Sequence, residues 1–263
     1  LFCLQFQRPD EPECSEVCQC HPGDSLSCNT VCVARTPCRT EYAFYNHASP
    51  AYQAYRGRCL CYSGRFICMR PAPDSYSLPE GVFLFVGYSE REEALLQELS
   101  NLTVADVAAT LQEHMRTAQA ARAEHNVQAS EKGEAVEDGH GHGEVLCSLL
   151  MHNVTRENLI LVAKLVQVNV SEELSAAEAL RREKEECVGP LHDIVEKINS
   201  RHPDFHSHLL LSILKLGLVE VRVPDRTASS SAAALGTPLP LLASVLAACV
   251  VARFSSLWSL TRR

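Results

Sequence analysis

Tyr55-Arg-Gly-Arg-Cys59-Leu-Cys61-Tyr-Ser-Gly-Arg65-Phe-Ile-Cys68 places three cysteines within fourteen residues, two of them as a Cys-x-Cys pair. A second such pair, Cys18-Gln-Cys20, lies upstream. Ten of the 13 cysteines fall in the first 68 residues: Cys3, Cys14, Cys18, Cys20, Cys28, Cys32, Cys38, Cys59, Cys61 and Cys68. In a reducing compartment this spacing would suggest zinc. A dense run of cysteines is better explained by an oxidising compartment, where it becomes a disulfide framework. Two cysteines in a Cys-x-Cys pair do not readily bond to each other, so each is expected to reach a different strand or helix. A module of about 70 residues has a thin core, and bridges must supply much of its stability.

Three sequons agree with an extracellular setting: Asn101-Leu-Thr103, Asn153-Val-Thr155 and Asn169-Val-Ser171. Setting aside Cys249 in the tail, the 13 cysteines leave 12 that can all pair. The expectation is five bridges in the first module plus Cys147–Cys187. The opening Leu1-Phe2-Cys3-Leu4 is too short for a signal peptide, and the chain is read as a fragment lacking its own N-terminus. The net charge of −8 offers no basic stripe, which speaks against a nucleic-acid partner.

From Arg226 the composition changes. Small residues, Thr227-Ala-Ser-Ser-Ser-Ala-Ala-Ala234, lead through a spacer to the apolar stretch Leu239–Ala252. That order is the pattern read by the GPI-attachment machinery, with Ser229, Ser230 or Ser231 as the cleavage residue. A single transmembrane span is the runner-up. It needs about 20 apolar residues, and Arg253 interrupts the run too early.

Between these ends, Pro71 to Pro79 forms a Pro-rich connector. Gly81-Val-Phe-Leu-Phe-Val-Gly87 reads as a short buried strand. Thr103-x-x-Asp106 predicts a capping box, opening a helix with Val107, Leu111 and Met115 on one face. Gly133 to Gly143 reads as a loop, and Val145 to Val168 as a further helical stretch. Ser175-x-x-Glu178 caps a charged helix expected to end near Cys187-Val-Gly189. Pro190 then begins another helix, with Leu191, Ile194, Val195 and Ile198 inward. Leu218–Val223 alternates like a strand.

Cys38-Arg-Thr-Glu-Tyr-Ala-Phe-Tyr45, followed by Tyr55–Cys61 and by Phe66-Ile-Cys68-Met-Arg70, resembles the cysteine-rich repeat of the GDNF-receptor-alpha and growth-arrest-specific families. In those repeats a Cys-basic-x-x-Tyr helix leads to a Cys-x-Cys turn and a further Cys followed by Arg. The segment Leu78–Tyr88 resembles the membrane-proximal part of an invertebrate GDNF-receptor-like protein. Two features depart from the pattern: a single repeat is present, and the cysteines from Cys14 to Cys32 are denser. The resemblance implies a helical module in a GPI-anchored co-receptor. Such a protein binds an extracellular growth factor and presents it to a transmembrane signalling receptor. A structural or adhesion glycoprotein of the cell surface is the alternative.

Tyr55, Arg56, Arg58 and Arg65 are the residue types that dominate protein interfaces and are the candidate ligand contacts. The competing reading packs the module's tyrosines into its small core and leaves its arginines to solvate it. His140-Gly-His142 and His202-x-x-x-His206-x-His208 have ligand-like spacing, but flexible or helix-end histidines commonly bind nothing. No G-x-S-x-G, H-E-x-x-H or P-loop pattern occurs, so neither an enzyme nor a cofactor is expected.

The fold expected from these readings is mainly α. A disulfide-rich helical module (1–71) leads through the connector (72–80) to an α-rich domain with a little β (81–223). A small-residue stalk (224–238) and a hydrophobic tail (239–263) complete it.

Overall fold

The computed structural model describes residues 2–7, 14–21, 25–131, 145–167 and 175–223. All of these lie in one compact unit, Leu1–Pro224. Strands β1 (Phe2–Gln7), β2 (Cys14–His21) and β3 (Ser25–Cys32) form an antiparallel sheet in that order. Across β2 and β3, Cys14 faces Cys32 and Cys18 faces Cys28, and both pairs are disulfide-bonded. The side chains of Cys3 and Cys20 fall outside the described set.

The next segment is also built of strands. β4 (Cys38–Arg39) pairs with β5 (Phe44–Tyr45), and β6 (Pro50–Gln53), β7 (Gly57–Tyr62) and β8 (Arg65–Cys68) form a meander. Ser63 and Gly64 join β7 to β8 with φ values of 51° and 83°. Two positive φ angles match the type I′ turn, whose twist suits a two-residue hairpin. On β7, Cys59 and Cys61 lie two apart and so project to the same side. Both are buried, Cys59 bonded to Cys68 and Cys61 to Cys38. The helical module expected from the sequence is therefore overturned. On a helix, positions two apart diverge by roughly 200°, which would separate the paired cysteines.

β9 (Gly81–Tyr88) is buried along its whole length. Helices α1 (Glu90–Ser100) and α2 (Val104–Glu131) follow, then the hairpin β10 (Val145–Val154) and β11 (Asn158–Gln167). α3 (Ala176–Asn199), the single turn α4 (Pro203–His206) and β12 (Leu214–Arg222) complete the described chain. Strands β9 to β12 form one antiparallel sheet, in the order β10-β11-β9-β12. Val82, Leu84 and Val86 of β9 pack against Val107, Leu111 and Met115 of α2 and Leu191 and Ile194 of α3. Phe83 and Phe85 point the other way, cluster with Ile160 and are covered by Tyr76 and Leu78 of the connector. With both faces covered, β9 has no position for a polar side chain, hence its unbroken apolar run.

The mainly α fold is thus corrected to a mixed one with several antiparallel sheets. Val145 to Val168, expected as helix, supplies β10 and β11. β11 is apolar on both sides: Leu159, Leu161 and Ala163 join the helix-side core, while Ile160 joins the opposite cluster. That double burial removes the alternation by which a strand is recognised. A second correction concerns α3, which continues through Cys187-Val-Gly189-Pro190 without a break. Pro190 cannot donate to the preceding turn, a cost of about 3 kcal/mol in a helix interior. Cys187, Pro190 and Leu191 are buried there, and tertiary packing of this kind outweighs local propensity.

The helix starts follow their sequence signals. The Asp106 carboxylate accepts from Thr103 N at 2.8 Å, and Ser175 Oγ accepts from Glu178 N at 3.3 Å. Among the described residues no helix is long and apolar enough to cross a membrane. The Gly133–Gly143 loop with His140 and His142, the sequon Asn169, Ser229–Ser231 and the apolar tail lie outside the described residues.

Candidate ligand-binding surface

The meander of β6, β7 and β8 and the β4–β5 ladder share a small core of bridged cysteines, with Ile67 also buried. Little room remains inside, and several aromatics stand outside. Tyr42 is 89% exposed, Tyr55 82%, Tyr52 76% and Phe44 70%. Tyr52 lies directly opposite Arg58 in the β6–β7 register, and both are exposed. Arg39 carries its guanidinium over the Phe44 ring, 5.1 Å from the centroid. Tyr55 sits at the β6–β7 turn with φ 65°, a left-handed conformation uncommon for a residue of its size.

The four candidate contacts divide. Tyr55, Arg58 and Arg65 are exposed and Arg56 is half-buried, but Arg56 and Arg65 are both engaged in ion pairs. Arg56 donates Nε to the Arg70 carbonyl at 3.1 Å and Nη2 to Glu157 Oε2 at 3.1 Å. Arg65 Nη1 meets Glu90 Oε2 at 2.5 Å, and Arg156 Nε meets the same carboxylate at 3.0 Å. Arg70 Nε donates to Glu220 Oε2 of β12 at 2.8 Å. Arg56–Glu157 and Arg70–Glu220 tie the cysteine-rich module to the four-stranded sheet, and Arg65–Glu90 ties it to α1. Tyr42 and Phe44 are the exposed aromatics that residue-by-residue reading did not single out.

Tyr62 belongs to the interior. Its hydroxyl donates to Glu92 Oε1 at 2.5 Å, and Lys215 Nζ lies 2.6 Å from Glu92 Oε2 and 4.5 Å from the Tyr62 ring. Burial first, then the Glu92 carboxylate, push the Tyr62 phenol far above its ordinary range. Of the spaced histidines, His202 Nδ1 accepts from Asp204 N, and His208 Nδ1 from Leu210 N and Leu211 N. The one His/Cys/Asp/Glu group of metal-binding geometry among the described residues is Glu16 with Cys18 and Cys28. Those two sulfurs are bonded to each other, which leaves them unable to act as thiolate ligands.

Asn101 is exposed at the left-handed C-cap of α1, and Asn153 is half-buried beside a bulge in β10. Residues 6–31, which take in the β2–β3 hairpin, match the fibronectin type I domain. The chain is an extracellular protein. Residues 32–71, the segment holding β4 to β8, match a domain of unknown function, DUF7921. No curated protein and no solved structure matches the chain.

Proposed function

We propose that this chain is an extracellular recognition glycoprotein that binds a protein ligand on the aromatic and arginine surface of residues 38–68. The observation that carries the reading is the exposure of Tyr42, Phe44, Tyr52 and Tyr55 on a scaffold tied by Cys38–Cys61 and Cys59–Cys68. Exposed aromatics of this size offer large apolar area at small entropic cost. A scaffold locked by disulfides loses little further freedom on binding. The ligand is a growth factor and the chain acts as a co-receptor that presents it to a transmembrane signalling receptor. This part of the reading rests on the sequence resemblance. The C-terminal tail supports anchoring to the outer cell surface through GPI, and release by a phosphatidylinositol-specific phospholipase tests it.

The test of the surface uses the full chain against a panel of cystine-knot growth factors. Saturable binding is expected, weakened about thirtyfold by the double variant Tyr52→Ala/Tyr55→Ala, in line with a hot-spot loss of about 2 kcal/mol. Binding that is unchanged in that variant would reject the surface. A second reading, adhesion to matrix or to another copy of the chain, is favoured by the fibronectin type I match. It predicts attachment to matrix-coated surfaces with no affinity for any growth factor in the panel.

A further inference from the structure

A cleft of about 330 Å³ opens where the β2–β3 hairpin, the cysteine-rich module, α1 and the β12 end of the chain meet. Its size is at the lower end of small-molecule sites. Part of the wall is apolar, with Val17, Val33, Leu96 and Ile213 among its residues, all buried. Three cations also line it: Arg35 from the segment after β3, Arg201 from the turn after α3, and Lys215 from β12. Glu92 is the one carboxylate among the described residues that line it.

That carboxylate is already engaged. The Tyr62 hydroxyl takes one oxygen, and the nearly buried Lys215 ammonium lies against the other. Arg201 has no carboxylate partner among the described residues. It is held at φ 54° beside the C-terminus of α3, its backbone N–H bonded to the Ile198 carbonyl. His47 and His206 also line the cleft, and both are kept below their ordinary value by burial. Cations add to this, Arg35 at His47 and Lys215 with Arg201 at His206, while Glu92 opposes it at both. With Lys215 set against Glu92, Arg201 stands in the cleft without a counter-charge among the described residues. Arg201 is exposed, and its uncompensated charge beside apolar side chains draws an anion toward the cleft.

We infer that this cleft binds a small organic oxyanion, an acidic head group on an apolar body, with the head toward Arg201 and the body between Val17, Val33 and Leu96. Carboxylates and sulfate esters share that chemistry. This site is independent of the protein-ligand surface, and neither conclusion requires the other.

The test titrates the full chain with octanoate, octyl sulfate, octanol and inorganic sulfate by calorimetry. One-to-one binding of octanoate or octyl sulfate is expected, with octanol and inorganic sulfate each at least about tenfold weaker. The tighter of the two amphiphiles identifies the head group. Arg201→Glu should weaken that binding by about tenfold or more, the effect of reversing a charge-assisted contact. Ser15→Trp, which fills the cleft from the β2 wall, should abolish it. The inference is overturned if octanol or inorganic sulfate binds as tightly as the amphiphiles, if neither amphiphile binds, or if a folded Arg201→Glu or Ser15→Trp variant binds like the parent chain.

Discussion

Asn158, at the start of β11, donates its side-chain N–H to the Cys68 carbonyl at 2.8 Å, ninety residues earlier in the chain. Both residues are fully buried. This bond, with Arg56–Glu157 and Arg70–Glu220, joins the disulfide-rich module to the four-stranded sheet. Asn158→Ala leaves the Cys68 carbonyl without this donor in a site closed to water. A loss of about 1–3 kcal/mol is expected, read from denaturant unfolding; a variant as stable as the parent would show that the bond contributes nothing.

Gly87 is the neighbouring point of close approach. A Cβ there would sit 2.6 Å from the Cys68 carbonyl oxygen and 2.9 Å from Ile67 Cγ2. The first obstacle is backbone and cannot swing aside. Gly87→Ala should therefore cost at least about 1–3 kcal/mol through overpacking. The corresponding fall in melting temperature is the measurement, and an unchanged value would refute the close contact.

Cys147 of β10 and Cys187 of α3 are bridged across 40 residues of sequence, and both are fully buried. In the chain-entropy account a loop of that size contributes about 4 kcal/mol. The double variant Cys147→Ala/Cys187→Ala should lose stability on that scale, measured by chemical denaturation. A loss below about 1 kcal/mol would mean that the helix and hairpin are held together by packing alone.

Burial holds His114, His206 and His208 below their ordinary value of 6.5. Nearby cations add to the effect, Lys197 at His114 and Lys215 at His206. The unfolded chain then binds protons that the folded chain refuses, so stability rises with pH. The contribution is complete above 6.5 and is lost as the pH falls from there through the folded values. The melting temperature should decline between about pH 7.5 and about pH 5.5. His208→Asn, which retains an acceptor for Leu210 N and Leu211 N, should lessen that slope. A slope identical to that of the parent would remove His208 from the account.

Parts of the architecture were visible in the residues themselves. Ser175 and Glu178 marked the start of α3, and Thr103 with Asp106 marked that of α2. Val107, Leu111 and Met115, spaced four apart, all reached the core. The failures have one origin. β11 is covered on two sides, and β10 and the cysteine-rich segment are tied by bridges to distant parts of the chain. Local pattern then carries no period, and the partner that decides the conformation lies tens of residues away. A signal for the hairpin was nonetheless present in Ser63-Gly64, a dipeptide suited to positive φ. Within the candidate surface, residue type alone could not separate Arg58, which is exposed, from Arg56, which is bound to Glu157.

Composition and spacing by themselves determined an oxidising setting, the need for bridges and the starts of α2 and α3, because each depends on residues close in the chain or on their number. Cys147 with Cys187 was already the expected pair, whereas tertiary structure alone decided which cysteines of the first module meet. It also decided which arginines are spent on internal ion pairs and that Arg201 and Lys215 reach the same cleft. These outcomes depend on contacts between segments up to 150 residues apart, as in Arg70 with Glu220. Such contacts form only where the whole core has brought their backbones together.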